Sequence, residues 1–311
     1  MHFGIQIYPQ NTSWASLKEH GLQAEADGYD SLWTWDHFAP IAGADLYGAQ
    51  LECWQILAAW GALTTRVRIG ALVTGNTYRH PAVLAKQAVA LDHITNGRAI
   101  LGMGAAWMEF EHRAYGIPFG TPGERLTKLS EAVHIVRSLL DEPRTTFKGK
   151  HYEITDAPAE PKPIQKRLPI LIGGGGEKRT LRITARWADL WHGFGNPQEF
   201  GHKVEVLHAH CAELGRDPGA IMATAGGSII VTEDSSRVAA RMKAISDVNR
   251  MANAAWTTAF SGNPDQVAAY IADFHKAGAR GYILGMASPH DAEAIRTFAT
   301  EIIPRVQALT A

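Results

Sequence analysis

The sequence lacks several features that mark particular classes of protein. It has only two cysteines in 311 residues, Cys53 and Cys211, which argues against a disulfide framework and fits a reducing compartment. With 30 basic and 31 acidic residues its formal net charge is -1, so neither nucleic acid nor a membrane surface is expected as a partner. No apolar run approaches the ~20 residues of a membrane span, and no charged-then-apolar leader opens the chain. We therefore expect a soluble, cytoplasmic protein.

Several common catalytic motifs are also missing. No serine stands in a Gly-x-Ser-x-Gly elbow, which argues against a serine-triad hydrolase. The first strand-like run is followed by YPQNTSW, without the glycine-rich phosphate loop of a doubly wound nucleotide-binding sheet. The HAHC segment (208–211) resembles a metal motif, but alternate residues of a helix point to different sides. We expect no metal site.

What the sequence does contain is an alternation of short apolar strands and helices along almost the whole chain. Strands that are short and continuously apolar suit a parallel sheet that is buried on both faces. Eight of them with helices between them predict a (β/α)8 TIM barrel, with the doubly wound sheet as the runner-up. The predicted strands are 3–8, 29–35, 67–74, 98–104, 169–176, 188–195, 221–231 and 281–286. The predicted helices include 53–63, 81–94 with Pro81 in its first turn, and one that Asn263 caps with Pro264 in its first turn.

We expect a single domain over residues 1–311, with insertions after the fourth and seventh barrel strands. The first insertion, at about 141–167, is rich in Pro and Lys and is predicted to hold a small hairpin around 145–154. The second, at about 235–261, is predicted to be helical over 237–253. Long insertions after barrel strands usually carry function or cover a site, so we expect lid and specificity elements there.

The end of the second strand reads SLWTWDHF and places an acid beside a titratable ring. Because barrel active sites lie at the carboxyl ends of the strands, Asp36 and His37 are candidates for chemistry. A histidine, with an ordinary pKa of about 6.5, is suited to moving a proton at neutral pH. The alternative is a capping pair without chemistry. The other strand ends supply further candidates, namely Gln6, Tyr8, Thr74, Gly75, Asn76, Trp191 and His192.

The run GGGG at 173–176 is the strongest chemical signal. We predict that it leads directly into a helix over 177–186, with Lys178, Arg179 and Arg182 in the first turns. Glycines let backbone N–H groups approach an anion, and the start of a helix adds a positive dipole. The run therefore predicts a phosphate-binding site, with a tight turn that needs positive φ angles as the alternative.

Three segments together carry a resemblance to a known family: SLWTWDHF, TYRHPAVLAKQAVALDHITNGRAILGMGAAW and LIGGGGEKRTLRITARWADLW. The chain resembles the bacterial luciferase-like flavin oxidoreductase superfamily, and more narrowly its branch that uses the deazaflavin coenzyme F420. The resemblance covers nearly the whole chain, and the middle segment, 77–107, is quite specific. It implies a (β/α)8 barrel with insertions, a homodimer, and a cofactor that lies across the barrel mouth beside a small-molecule substrate.

The resemblance also implies roles for individual residues. Asp36 would lie near the deazaflavin ring, and His37 would donate or accept a proton beside the substrate. A cis-peptide bulge that backs the ring would fall at about Val73 and Thr74. The cofactor phosphate would be held by Gly174, Gly175, Gly176, Lys178 and Arg179. Further cofactor contacts are expected at Gly75, Asn76, Ala105 and Ala106.

One departure from the family bears on the substrate. Relatives that oxidise sugar phosphates carry a catalytic glutamate after the glycine-rich end of strand four, where this sequence has Trp107, with Glu109 two positions further. That difference puts the oxidation of glucose 6-phosphate in doubt. Trp33, Trp35, Trp107 and Trp191 instead indicate an apolar or aromatic substrate face, with some of these four tryptophans expected to belong to the core. The predicted substrate pocket consists of Tyr8, Trp107, Glu109, Trp191 and His192.

The first functional hypothesis is an oxidoreductase that transfers a hydride between F420 and an unidentified small organic substrate. The second is an FMN-dependent monooxygenase of the same superfamily, because one phosphate site could serve either cofactor. The third is a barrel that binds a cofactor without catalysis. The presence of Asp36, His37 and the glycine run argues against the third, whereas only overall similarity separates the first two.

Overall fold

A computed structural model of the chain describes residues 1–41, 43–251 and 259–311. The strands in these ranges are β1 (His2–Ile7), β2 (Ser31–Asp36), β3 (Arg68–Gly75), β4 (Ala99–Gly104), β5 (Thr145–Lys148), β6 (Glu153–Ala157), β7 (Ile170–Gly173), β8 (Leu190–His192), β9 (Met222–Gly227), β10 (Ile229–Val231), β11 (Phe260–Gly262) and β12 (Gly281–Met286). The helices are α1 (Trp14–Ala26), α2 (Cys53–Leu63), α3 (Pro81–Ile94), α4 (Glu109–Ala114), α5 (Pro122–Asp141), α6 (Thr180–Trp187), α7 (Pro197–Glu213), α8 (Ser235–Asn249), α9 (Pro264–Lys276), α10 (Ala292–Thr297) and α11 (Ile303–Leu309). A 3-10 turn (Pro218–Ala220) precedes β9, and a π-helical turn (Phe298–Ile302) joins α10 to α11.

The strands close into a barrel in the order β1-β12-β9-β8-β7-β4-β3-β2. Every neighbouring pair in this order is parallel, and helices connect successive barrel strands on the outside. The predicted (β/α)8 fold is therefore confirmed, and the doubly wound alternative is wrong. Because all eight strands run the same way, their carboxyl ends meet at one mouth.

Local signals in the sequence set where the helices begin. Helices α5, α7 and α9 each start with a capping box. The side chain of the N-cap residue (Thr121, Asn196 or Asn263) accepts a hydrogen bond from the backbone N–H three residues later, and the Glu or Gln side chain at that later position accepts one from the N-cap N–H. In each of them a proline occupies the first turn, where its missing N–H costs nothing. The helix predicted over 81–94 is confirmed as α3, whose N-cap is His80.

The inside of the barrel is filled by large side chains. Trp33, in the middle of β2, is 1% exposed and packs with apolar residues of the other strands, namely Leu72, Ile100, Leu171, Leu190 and Ile283. A Cβ at Gly70 would come within 2.7 Å of the Trp33 ring, so glycine at that position makes room for it. Of the four tryptophans considered for the substrate face, Trp33 is therefore one that belongs to the barrel core.

The two insertions follow their predicted strands but differ in detail from the prediction. The hairpin predicted around 145–154 is present as the antiparallel pair β5 and β6. The single seventh strand predicted over 221–231 is wrong: β9 stays in the barrel, while β10 leaves it and pairs with β11. One apolar run could not show that its two halves have different partners. The helix predicted over 237–253 is α8, and residues 252 and 253 lie outside the described ranges.

Strand β3 carries an irregularity next to the mouth. The peptide bond between Leu72 and Val73 is cis, one bond before the bulge expected at Val73 and Thr74. The register of β3 shifts against both β2 and β4 at this point. Within the described residues no helix is both long and apolar enough to cross a membrane.

Candidate active site

Two adjoining cavities open at the carboxyl ends of the barrel strands. The smaller has a volume of about 450 Å³ and the larger about 820 Å³. Both are bordered by side chains from β1, β3 and β8, which places them side by side across the mouth. The structure brings the following predicted residues together around the smaller cavity: Tyr8, Asp36, His37, Val73, Gly75, Ala105, Ala106, Trp107, Gly174 and His192.

His37 is held beside the smaller cavity by a carboxylate. Its Nδ1 lies 2.8 Å from Oε1 of Glu111, and both side chains are buried. The other carboxylate oxygen, Oε2, accepts from the backbone N–H of Phe38 at 2.8 Å. Tyr78 also donates its hydroxyl to Oε1 of Glu111. The imidazole is therefore fixed in orientation, with Nε2 as the nitrogen that is not engaged by Glu111.

The charge of Glu111 follows from these contacts. Burial disfavours its ionised form, but the hydrogen bonds from His37, Tyr78 and the Phe38 N–H outweigh burial and lower the pKa of Glu111. The carboxyl group is therefore ionised at neutral pH, and it can only accept hydrogen bonds. It follows that Nδ1 of His37 donates to Glu111, so that in the neutral ring Nε2 is free to accept a proton.

Asp36 is fully buried and has its own cationic partner. The guanidinium of Arg79 contacts both oxygens of Asp36, at 2.5 and 3.2 Å, and also donates to Glu52 at 2.6 Å. Burial raises the pKa of Asp36, and the charge of Arg79 opposes that rise. Asp36 borders the smaller cavity, as a cofactor contact would require, but both of its oxygens are already bound by Arg79. A contact between Asp36 and the cofactor therefore stays a prediction.

One part of the wall of the smaller cavity is formed by backbone and by Val73. A Cβ on Gly104 would come within 2.7 Å of the Val73 side chain, and one on Gly173 within 2.9 Å. Val73 therefore occupies the space that two glycines leave open at the ends of β4 and β7. The result is a smooth, apolar surface on that side of the smaller cavity.

The glycine run after β7 is anchored by a tryptophan. Trp191 is fully buried, stacks on Phe200, and donates from Nε1 to the carbonyl of Gly174 at 2.8 Å. Gly174 has φ of +115°, which favours glycine. Placing Trp191 in the substrate pocket was therefore wrong: within the described residues it supports the loop from the core and borders neither cavity.

The segment after the glycines differs from its prediction. Helix α6 begins at Thr180, so residues 177–179 form a turn and the helix predicted to start at 177 is wrong. Lys178 is exposed, and Arg179 donates to Gly123 and Thr127 on α5 instead of facing the cavity. The glycines allow a tight turn here, and its direction carries both cations outward.

A different cation lies beside the glycines. A Cβ on Gly175 would be 3.8 Å from the Lys203 side chain, whose Nζ pairs with Glu177. Lys203 is on α7, about thirty positions further along the chain, and sequence reasoning missed it. No local signal marks it, because its place depends on how α7 packs against the loop.

Five further predicted residues are not part of the lining described for the smaller cavity. Thr74 is buried and accepts from Trp54 at 3.2 Å. The buried Asn76 is oriented with its amide donating to Gly104 at 2.9 Å and accepting from the Leu129 N–H at 3.0 Å. Within the part of the chain described, the cavity lining also leaves out Gly175, Gly176 and Glu109. Placing Glu109 in the substrate pocket was wrong, because it is exposed in the first turn of α4.

Tyr8 and Trp35 form an aromatic part of the wall of the smaller cavity. Their rings stack with centroids 4.1 Å apart, and both side chains are nearly buried. Burial raises the pKa of Tyr8 to about 12, with a smaller opposing effect of Ser228, so its phenol stays protonated at neutral pH. Trp107 is 60% exposed and lies edge-on to His37, with centroids 5.5 Å apart. An apolar, aromatic face thus exists at the mouth, and its role in binding a substrate stays a prediction.

The fold is a parallel barrel, and a buried imidazole–carboxylate pair lies beside a cavity at its mouth. Barrel enzymes typically bind small molecules at this place. The family model described as luciferase-like monooxygenase matches residues 1–256, and the chain belongs to that family. The resemblance inferred from the sequence is therefore confirmed at the level of the superfamily.

Two curated proteins illustrate the relatives to which the chain is similar in sequence. An uncharacterized protein of Mycobacterium tuberculosis is 28% identical over 231 residues, which cover 70% of this chain and 80% of that protein. The F420-dependent glucose-6-phosphate dehydrogenase of Kineococcus radiotolerans is 34% identical over 177 residues, 57% of this chain and 51% of that protein. The chain thus matches about half the length of that dehydrogenase.

A solved structure shows the same fold over nearly the whole chain. An F420-dependent secondary alcohol dehydrogenase, in complex with an F420-acetone adduct, superposes with a TM-score of 0.86 and covers 98% of each chain. Its sequence identity is 21%, so the likeness establishes the fold alone.

Proposed function

We propose that this protein is an F420-dependent oxidoreductase that transfers a hydride between the deazaflavin and a small organic substrate with an apolar or aromatic face. The observation that carries the proposal is the pair of His37 and Glu111, held at 2.8 Å at the edge of the smaller cavity. Relatives named as F420-dependent dehydrogenases support the choice of cofactor.

The residues around the smaller cavity fit a flat, phosphorylated cofactor. Val73 and the neighbouring glycines give an apolar wall without projecting side chains, against which a planar ring could lie. Gly174, Gly175 and Gly176, with Lys203 beside them, would hold the phosphate through backbone N–H groups and one ammonium. When bound, F420 would supply the two-electron hydride chemistry.

The protein's own contribution is to position groups and to move a proton. Glu111 orients the imidazole of His37 and stabilises its protonated form, so that Nε2 can take a proton from a substrate hydroxyl or return one. Tyr8, Trp35 and Trp107 exclude water from one side of the reacting groups. In this assignment His37 is the catalytic residue, whereas Glu111 is a positioning residue.

We do not expect glucose 6-phosphate to be the substrate, although relatives are named for it. Among the described residues that border the two cavities, none is a lysine or an arginine. A phosphate ester bound there as substrate would be desolvated without a counter-charge. We therefore propose an uncharged substrate, and we expect no oxidation of glucose 6-phosphate.

An FMN-dependent monooxygenase is the second candidate, because the matching family model is described as luciferase-like monooxygenase. Titration of the purified protein with F420 and with FMN, followed by tryptophan fluorescence, separates the two. Binding of F420 in the micromolar range, at least roughly tenfold tighter than FMN, supports the proposal. The opposite preference assigns the protein to the monooxygenases, and binding of neither overturns both. Turnover of no substrate in a screen with F420 would favour a barrel that binds cofactor without catalysis.

The homodimer and the cytoplasmic location stay predictions. Sedimentation equilibrium of the full chain measures the first directly: a mass of one chain at micromolar concentration contradicts it. Fractionation of cells that express the protein at its native level measures the second.

A further inference from the structure

His192, at the end of β8, has a hydrogen-bond pattern that fixes its tautomer. Its Nδ1 lies 3.1 Å from Oγ1 of Thr224, and the Thr224 hydroxyl donates to the carbonyl of Trp191 at 3.0 Å. A hydroxyl has one proton, so Thr224 can only accept from His192. The proton of the neutral ring is therefore on Nδ1, and Nε2 is a hydrogen-bond acceptor.

The environment of the ring keeps it neutral and leaves Nε2 open to the cavities. The side chain is 3% exposed, and burial lowers the pKa of His192 to about 4. The ring borders both cavities, and in the described part of the chain no group pairs with Nε2. A Cβ on Gly226 would come within 2.9 Å of the imidazole, so glycine at that position leaves room for the ring.

The larger cavity around His192 is aromatic and carries little charge. Phe194 lies edge-on to the imidazole with centroids 4.9 Å apart, and the rings of Tyr8 and Tyr282 form other parts of the wall. Among the described lining residues, Glu199 is the only one with a charged side chain, and it is engaged in the cap of α7. Such walls favour an uncharged ring and disfavour an anion, which would lose its hydration without a counter-charge.

We propose that Nε2 of His192 accepts a hydrogen bond from a hydroxyl group of the substrate, and that this substrate is an uncharged, hydroxylated aromatic or alicyclic molecule. That the ligand is the substrate rests on the proposed function, in which the cofactor ring lies against Val73 and the substrate extends from His37 in the smaller cavity past His192 into the larger one. Because Nε2 cannot donate in this tautomer, an ether or ester at the same place loses the contact.

Three probes with one ring system test the recognition: 2-naphthol, 2-methoxynaphthalene and 2-naphthyl phosphate, titrated by calorimetry into the full chain without cofactor. We expect 2-naphthol to bind about tenfold more tightly than the methyl ether, and the phosphate to bind most weakly. The preference for 2-naphthol should disappear in His192→Phe. It should shrink or reverse in Thr224→Val, which keeps nearly the same shape but removes the group that fixes the Nδ1 proton. A preference that survives in His192→Phe, or tightest binding of the phosphate, overturns the proposal.

Nitrogen NMR of the wild-type imidazoles gives a test that does not depend on the folding of a variant. We expect one histidine to show the neutral tautomer with the proton on Nδ1 at pH 7, and its Nε2 signal to shift with 2-naphthol but not with 2-methoxynaphthalene. The absence of that signal in His192→Phe assigns it. An Nε2-protonated ring, or an Nε2 signal unmoved by 2-naphthol, contradicts the proposal.

Titration with F420 separates this inference from the proposed function. Wild type and His192→Phe should bind F420 with affinities within about twofold, because His192 serves the substrate. A large loss of F420 affinity in His192→Phe assigns the residue to the cofactor and overturns the inference. Failure of the wild type to bind F420 would overturn the proposed function, while the naphthol discrimination would still decide the role of His192.

Discussion

His37 and Glu111 are 74 positions apart in sequence, and their side chains meet at 2.8 Å at the edge of the smaller cavity. The carboxylate collects three hydrogen bonds, from the imidazole, the Phe38 N–H and the Tyr78 hydroxyl. This arrangement gives His37 one orientation and one tautomer. In the proposed function, His37 moves the proton and the glycine run holds the cofactor. Because these roles fall on different residues, single substitutions can test them separately.

Replacing His37 by alanine should abolish turnover but leave cofactor binding intact. The imidazole is the proposed proton carrier, so we expect turnover to fall by about 100-fold or more while the Kd for F420 changes by no more than about twofold. Turnover is followed by the absorbance of the oxidised deazaflavin with a substrate found by screening. The exposed His208 on α7 provides the control, because His208→Ala should change neither quantity. Unchanged turnover in His37→Ala would show that another group moves the proton.

The variant Glu111→Gln should lower kcat by roughly tenfold or more without weakening F420 binding, since the amide keeps the shape but loses the charge that stabilises the protonated imidazole. Glu109→Gln is the matched control, because Glu109 stands two positions earlier on the same helix and is exposed. Steady-state kinetics and the cofactor titration measure both variants. Equal losses in the two would contradict the positioning role of Glu111.

The stability of the protein should depend on pH through Glu111. Its pKa is lower in the folded chain than in the unfolded one, so it stabilises the fold above the ordinary carboxyl value of 4.5, and this contribution is lost as the pH falls through the folded value. The difference in free energy of unfolding between wild type and Glu111→Gln should therefore be largest near neutral pH and shrink in acid. Urea titrations at pH 7, 5 and 4 measure it. A difference that grows in acid would contradict the assigned ionisation of Glu111.

Loss of Arg79 should destabilise the fold strongly. Arg79→Met leaves the buried carboxylate of Asp36 without its partner, and we expect the free energy of unfolding to fall by about 3–5 kcal/mol. Arg182→Met removes an exposed, solvent-screened pair with Glu213 and should cost far less stability. Adding Asp36→Asn to Arg79→Met should recover part of the loss. No recovery would show that Arg79 acts through packing and not through the charge of Asp36.

Lys203 tests where a phosphate is held. If the glycine run binds the cofactor phosphate, Lys203→Met should weaken F420 binding by about tenfold, because the Lys203 side chain passes beside Gly175 and carries its ammonium to the nearby Glu177. Lys276→Met, at an exposed lysine paired with Asp273 on α9, should leave the affinity unchanged. Fluorescence titration measures both. If Lys178→Met, and not Lys203→Met, weakens F420 binding, the original prediction that Lys178 holds the cofactor phosphate would stand.

The sequence alone was enough for the features that depend on neighbouring residues. Short apolar strands, capping residues and prolines at first turns predicted the barrel and most of its helices, and two of them, α2 and α3, have the predicted bounds. The end of β2 predicted Asp36 and His37 as site residues, because barrel mouths form at strand ends.

Tertiary packing decided the partners of those residues. Glu109 and Glu111 are both acids at the start of α4, and residues two apart on a helix face different sides, so only docking of that helix selects Glu111 for His37. Arg79 reaches Asp36 and Lys203 reaches the glycines only because distant segments meet when the barrel closes. Contacts across such separations leave no periodic signal in the sequence, since each depends on where a whole element lies and not on its neighbours in the chain.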